Sequence, residues 1–282
     1  MAATAAVHGR ATRCELGWSP ERRRSSHPIS SAVDLSQDYH LMLLLQRQSC
    51  LWQPFRHCII NSQVETSRDA TFVGVYDGHG DPEASLYISD HLFLHLMRLS
   101  RENGSISEDI LRSVFCATED GFLTLVRRTY GIKPLIAAIG SCCLVGVIWK
   151  GTLYVANLGD SRAVIGSLSR SNKIVAEQLT KDHNASMEEV RQELRSSHPD
   201  DSHIVVMKHG VWRIKGIIQV SRSIGDAYMK RPEFSVDPSF PRFHLSEPIR
   251  RPVLTAVPSI YTRTLQPMIN FSFSHLMGCG ST

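Results

Sequence analysis

No apolar run in this chain of 282 residues reaches the length a membrane-spanning helix needs; Met42 to Leu45 is far too short. The seven cysteines include no C-x-x-C pair and their number is odd, which fits a reducing compartment better than a disulfide framework. Excess charge is missing as well. A formal balance of +4 gives no case for nucleic acid as a partner. There is no internal repeat. The apolar, charged and aromatic fractions, 42%, 21% and 7%, are those of a soluble globular protein, long enough for one large core or two ordinary domains. Cys142 and Cys143 lie side by side in an apolar, strand-like run and read as buried structural thiols.

What is present is most informative at Thr71 to Gly80. An apolar run, Thr71 to Tyr76, reads as a buried strand, and it stops at Asp77-Gly78-His79-Gly80. A strand end fixes a carboxylate at a sheet edge, and glycines let backbone approach a ligand and expose its carbonyl oxygens. One carboxylate, one bare carbonyl and one imidazole suit a hard cation with a proton donor beside it. A plain Gly-rich turn carrying a surface histidine accounts for the tetrapeptide equally well.

The chain divides into three stretches. Residues 1–60 form an atypical segment, with a basic, acid-free start and Arg22, Arg23 and Arg24 in a Ser/Pro-rich setting. A disordered tail is expected there, and an organelle transit peptide is the alternative. Residues 61–266 are orderly and form the expected domain, and residues 267–282 form an aberrant tail. Within the domain, Pro82 opens a helix through Tyr87, Ile88, His91, Leu92 and Leu96. Ser107 caps a second helix through Leu111, Val114, Phe115, Phe122 and Val126. Ser141 to Trp149 and Thr152 to Asn157 form a hairpin around Lys150-Gly151. Asn184 is expected to cap a short helix with Met187, Val190 and Leu194 on its apolar side, and Ile204 to Met207 and Ile214 to Val220 read as strands. Arg231 to Pro258 reads as loop. Helices and hairpins come in blocks, so an α+β fold is expected rather than a parallel sheet.

The ordered motifs Phe72-Val73-Gly74-Val75-Tyr76-Asp77-Gly78-His79-Gly80, Gly140-Ser141-Cys142-Cys143, Ala156-Asn157-Leu158-Gly159-Asp160-Ser161-Arg162, Leu179-Thr180-Lys181-Asp182-His183 and Val220-Ser221-Arg222-Ser223-Ile224-Gly225-Asp226 give the chain its resemblance. It resembles the type 2C, metal-dependent protein serine/threonine phosphatases over about Asn61 to Thr264. Trp212-Arg213-Ile214-Lys215-Gly216 is similar to a plant subgroup of them. The resemblance implies two packed antiparallel β-sheets flanked by α-helices and a centre holding two Mg²⁺ or Mn²⁺ ions. It implies that the metals activate a water for attack on phosphorus while a nearby acid protonates the departing serine or threonine oxygen. Carried over, Asp77 is the bridging ligand, Gly78 gives a carbonyl ligand, His79 is the general-acid candidate and Asp160 lies near a further, weaker metal position. Asp182-His183 and Asp226 are expected to be structural, and Arg213 and Arg222 to form surface ion pairs. Phosphorylated proteins are the implied partners, with a monomer in the nucleus or cytoplasm expected.

The chain also departs from the pattern. Asp81 stands where the family usually has a glycine, and Leu86 where the subgroup commonly has a basic residue. The approach His57-Cys58-Ile59-Ile60-Asn61 has no acidic pair, and the family's downstream metal motifs, D-G-L-W and D-N, are not found. Read from the third base of each codon, beginning in Met268, nucleotides compatible with the last residues admit D-K-F-L-I-F-A-S-D-G-L-W-E-H, similar to the family's metal motif. Its opening Asp, and the Gly of D-G, are forced by the single codon of methionine. Cys50 to His57 likewise admits S-M-A-A-V-Q-A. Both ends are therefore expected to be out-of-frame translations of phosphatase coding sequence. With metal ligands reduced to Asp77 and Asp160, weak or absent activity is expected. The alternatives are a catalytically dead fragment that binds phosphoproteins or regulators, and an unstable product.

Overall fold

The computed structural model describes residues 59–67, 70–168, 173–245, 247–265 and 269–274. The expectations for residues 1–58 and 275–282 lie outside these. Strands β1 (Ile59–Thr66) and β2 (Ala70–His79) are followed by helices α1 (Glu83–Asn103) and α2 (Glu108–Thr129). Then come β3 (Gly140–Trp149), β4 (Thr152–Leu158), β5 (Arg162–Leu168), β6 (Ile174–Gln178), α3 (Glu188–Ser197), β7 (Val205–Lys208) and β8 (Val211–Ile214). The two-residue β9 (Ile224–Gly225), β10 (Ser259–Thr264) and β11 (Ile269–Ser274) complete the order.

Among the described residues the main sheet runs β1-β2-β3-β4-β10, with β9 attached to β3. A smaller sheet runs β11-β5-β6, and β7 and β8 form a hairpin. Every pairing between these strands is antiparallel. The strand period of two explains why the main sheet is apolar throughout. Phe72 and Tyr76 of β2, and Cys143, Val145 and Val147 of β3, join Ile88, Leu92, Val114, Phe115 and Phe122 of the helices in one core. Their neighbours Val73, Val75, Leu144, Leu153 and Val155 enter a second core with Ala163 and Ile165 of β5. The main sheet is thus buried between helices on one face and the smaller sheet on the other.

Local chemistry sets two helix starts as anticipated, at Pro82 and Ser107. Ser107 accepts a hydrogen bond from the Ile110 N–H, with Glu108 and Asp109 in the first turn and Arg127 and Arg128 in the last. Helix α1 stops at Gly104, in the left-handed region at φ 68°. Asn184, by contrast, caps no helix: α3 begins at Glu188 after Met187 without a side-chain cap. Its Oδ1 accepts from the Ser186 N–H at 2.9 Å, in the turn ahead of α3, and its Nδ2 is engaged by a tertiary partner described below. The strand expected over Ile214 to Val220 is also corrected. The strand ends at Ile214, because Lys215 (φ 51°) and Gly216 (φ 71°) turn the chain and the Ile218 carbonyl accepts from the Ile214 N–H. Among the described residues no helix is long and apolar enough to cross a membrane.

Candidate active site

Asp77 and His79 lie two residues apart at the end of β2, so the strand period puts them on one face of the sheet. Asp77 pairs across the ladder with Cys142, and His79 with Gly140. Asp160 follows β4, in a turn made by Gly159 at φ 101°. A Cβ at Gly159 would meet the Cys142 sulfur at 2.3 Å, so only glycine lets that turn close against β3. Cys142 joins the two aspartates: it sits opposite Asp77, and its Sγ lies 3.7 Å from Asp160 Oδ1. Burial, then Asp160 and Asp77, push the Cys142 thiol well above its ordinary range, which keeps it a neutral donor.

Asp160 is held from two sides. Asn184 donates through Nδ2 to Asp160 Oδ2 at 2.8 Å. The preceding Gly159 N–H donates to His183 Nδ1 at 3.2 Å, and the Gly159 carbonyl accepts from the His183 N–H at 2.9 Å. Accepting at Nδ1 assigns the ring proton of His183 to Nε2, which faces the Ser259 hydroxyl at 2.7 Å. Burial, with the Arg222 charge second, lowers the His183 pKa to about 3. Asp182 accepts from Arg162 Nε at 3.0 Å and serves the turn from outside.

His79 finds a partner that sequence reasoning set aside as structural. Its Nε2 lies 2.8 Å from Asp226 Oδ2; the two side chains are 32% and 1% exposed. Burial alone would lower the His79 pKa, but the charge and hydrogen bond of Asp226, then Asp77 and Asp160, raise it overall. Asp226 moves the other way. Burial opposes its charge, yet His79, Ser223 and Lys230 hold its carboxyl below the ordinary range. Both directions follow from the one contact between the two side chains. The motif Ser223-Ile224-Gly225-Asp226 was visible in the sequence; its pairing with His79, across 147 residues, had no local signal.

Two departures from the pattern, Asp81 and Leu86, are peripheral, whereas Ile60 of the acid-free approach pairs with Asp77 across the β1–β2 ladder. Asp81 is half exposed and pairs with Lys133 at 3.0 Å, and Lys133 also binds Glu83. Leu86 is 48% exposed on α1. Arg222 donates to the Val257 carbonyl at 3.1 Å and to Glu193 at 3.1 Å, which makes it a surface clamp rather than part of the aspartate cluster.

The donors collected here, the Asp77 and Asp160 carboxylates and the Gly78 carbonyl at the end of β2, are hard oxygens of the type Mg²⁺ and Mn²⁺ take. In kind they fit such a cation. In number they are few: among the described residues no group of three or more His, Cys, Asp or Glu side chains is arranged to hold a metal ion.

A six-stranded main sheet layered between helices and a smaller antiparallel sheet, with aspartates at the strand ends, defines a two-sheet α+β protein with an acidic site at one sheet edge. Residues 50–271 match the family described as protein phosphatase 2C. "Probable protein phosphatase 2C 68" of Arabidopsis thaliana is 76% identical over 215 residues, 75% of this chain and 55% of that protein. "Probable protein phosphatase 2C 43" of Oryza sativa subsp. japonica is 74% identical over 211 residues, 75% of this chain and 54% of that protein. The crystal structure of a serine-threonine phosphatase 2C from Toxoplasma gondii superposes with a TM-score of 0.60 over 89% of this chain and 80% of that one. At 14% identity that likeness speaks for the fold alone. The chain belongs to the protein phosphatase 2C family. It spans about half the length of the curated relatives it matches.

Proposed function

We propose that this site performs metal-dependent hydrolysis of phosphoserine and phosphothreonine in proteins. The observation that carries the reading is the arrangement at the sheet edge: hard oxygen donors at Asp77 and Gly78 at the end of β2 and at Asp160 after β4, beside His79 held by Asp226. Asp77, the Gly78 carbonyl and Asp160 would hold Mg²⁺ or Mn²⁺. When bound, such ions activate a water and neutralise charge on the phosphoryl oxygens.

The chain's own residues do the rest. Water adds to phosphorus, the bond from phosphorus to the serine or threonine oxygen breaks, and the electron pair leaves on that oxygen. Protonated His79 gives the departing oxygen its proton and so spares it from leaving as an alkoxide. The proton lost by the attacking water passes to solvent, from which His79 is restored. The products are the free hydroxyl and inorganic phosphate. Cys142, Asn184 and His183 keep Asp160 in place while this occurs.

Two carboxylates give modest cation affinity, so activity should rise with Mn²⁺ up to concentrations on the order of millimolar. Release of phosphate from a phosphothreonine peptide by the full chain is the test. Mn²⁺-dependent turnover that disappears in Asp77→Asn supports the proposal. A soluble, cooperatively melting chain with no Mn²⁺-dependent turnover would overturn it and favour phosphoprotein binding without catalysis.

A further inference from the structure

We propose that Asp226 is a positioning residue for His79: it holds the imidazole through Nε2, so that Nδ1 is left to meet a departing substrate oxygen, and the buried pair of Glu119 and Lys230 fixes the turn that carries it. The inference rests on the phosphatase reading above for its consequence, and on geometry for its substance.

An imidazole on a flexible side chain can offer either ring nitrogen, and a carboxylate bonded to one of them settles which. Asp226 Oδ2 takes His79 Nε2 at 2.8 Å and the Ser223 hydroxyl at 2.6 Å. The carboxylate is 1% exposed, so water does not compete for these bonds. Gly140 makes room for the pair: a Cβ there would lie 2.2 Å from Asp226 Oδ2 and 2.5 Å from His79 Nε2.

Asp226 is not free to move off. Its backbone sits in the left-handed region at φ 49°, where a non-glycine residue needs support. Its N–H donates to the Ile139 carbonyl at 2.8 Å. The Gly225 N–H donates to Glu119 Oε2 at 2.9 Å. Lys230 Nζ donates to Glu119 Oε1 at 2.7 Å and to the Ser223 carbonyl at 2.8 Å. Glu119 and Lys230 are 7% and 6% exposed. A helix carboxylate thus fastens the turn from Ser223 to Asp226, and the turn fastens the ring.

The test has a spectroscopic arm and a kinetic arm, both on the full chain. In ¹⁵N-histidine-labelled protein, His79 is assigned by its loss in His79→Gln. A strongly deshielded Nε2–H, slow to exchange with water, is expected for this ring and should move or vanish in Asp226→Asn. Its absence from the folded wild-type chain, or its indifference to Asp226→Asn, overturns the proposal even if that variant melts early. In the kinetic arm, kcat with Mn²⁺ is compared on a phosphothreonine peptide and on p-nitrophenyl phosphate, whose leaving group departs without a proton. The ratio of peptide to aryl phosphate turnover should fall about tenfold or more in Asp226→Asn, up to the roughly 10²–10⁴-fold that a general acid contributes in full. Equal loss on both substrates, as a merely structural role predicts, also overturns it. A wild-type chain inactive on both substrates counts against the phosphatase reading, while the ring resonance still decides the dyad.

Discussion

Removing Lys230 should unfold this protein more readily than removing almost any surface charge. The ammonium lies 2.7 Å from Glu119 Oε1, and both side chains are within 10% of full burial. Lys230→Met keeps the aliphatic stem and deletes the charge. It leaves the Glu119 carboxylate inside the protein with the Gly225 N–H, at 2.9 Å, as its remaining donor. Breaking a buried pair by deleting one partner costs about 3–5 kcal/mol, because the remaining charge is neither solvated nor neutralised. An exposed pair such as Arg98 with Glu102, both side chains about half exposed, is worth no more than about 1 kcal/mol.

A second substitution separates lost charge balance from lost packing. In Glu119→Gln/Lys230→Met the amide still accepts from the Gly225 N–H, and neither of the two substituted side chains carries a charge. The double variant should therefore recover roughly 2 kcal/mol or more relative to Lys230→Met alone. Equilibrium unfolding in urea at neutral pH, followed by far-ultraviolet circular dichroism, measures both, and thermal melts should show Lys230→Met lowered by roughly 6–20 °C. A Lys230→Met chain within about 1 kcal/mol of wild type would refute the reasoning, because the site would then be wetter than its burial indicates. Additive costs in the double variant would refute it too, since coupling is the whole content of the argument.

His183, with its pKa lowered to about 3 by burial and then by Arg222, stays neutral when folded, whereas the unfolded chain protonates near the ordinary value of about 6.5. The unfolded state binds the extra proton between those limits, so stability present above about 6.5 is lost as pH falls toward about 3, by up to about 1.4 kcal/mol per unit. His183→Gln should flatten the stability profile over that window, and an unchanged slope in denaturant titrations would show that the ring is not kept neutral. Gly140→Ala places a methyl group 2.2 Å from Asp226 Oδ2. It should cost about 1–3 kcal/mol through overpacking and erase the deshielded His79 ring resonance; a variant that keeps both stability and resonance would contradict the close approach.

The strands and helices near the site were legible because their signals are local. The apolar run ending at Asp77 marks β2, and Lys150-Gly151, both at positive φ, turns β3 into β4. Where the sequence reading failed, the deciding contact was not the one local pattern suggests. Asn184 has the chemistry of a cap, but its Oδ1 takes the Ser186 N–H before α3 begins and its Nδ2 holds Asp160. β9 pairs with β3 through only Gly225 and Ile224, too short a segment for any periodicity to announce. Asp77 and Asp160 were legible as candidates through their motifs, but Cys142 as their link follows only from the register that sets it opposite Asp77.

Glu119 shows what kind of signal was left unread. It lies four residues after Phe115 and three before Phe122, inside the apolar stripe of α2, where a carboxylate faces the core. A buried carboxylate on such a stripe requires a cation or several donors. Lys230, 111 residues further along, supplies the cation, and the Gly225 N–H supplies the donor. The misplaced charge on α2 and the non-glycine left-handed residue at Asp226 are therefore two ends of one arrangement. Each is unfavourable alone, and together they bring a carboxylate to His79 at a sheet edge that β2 and β3 cannot furnish from their own sequence.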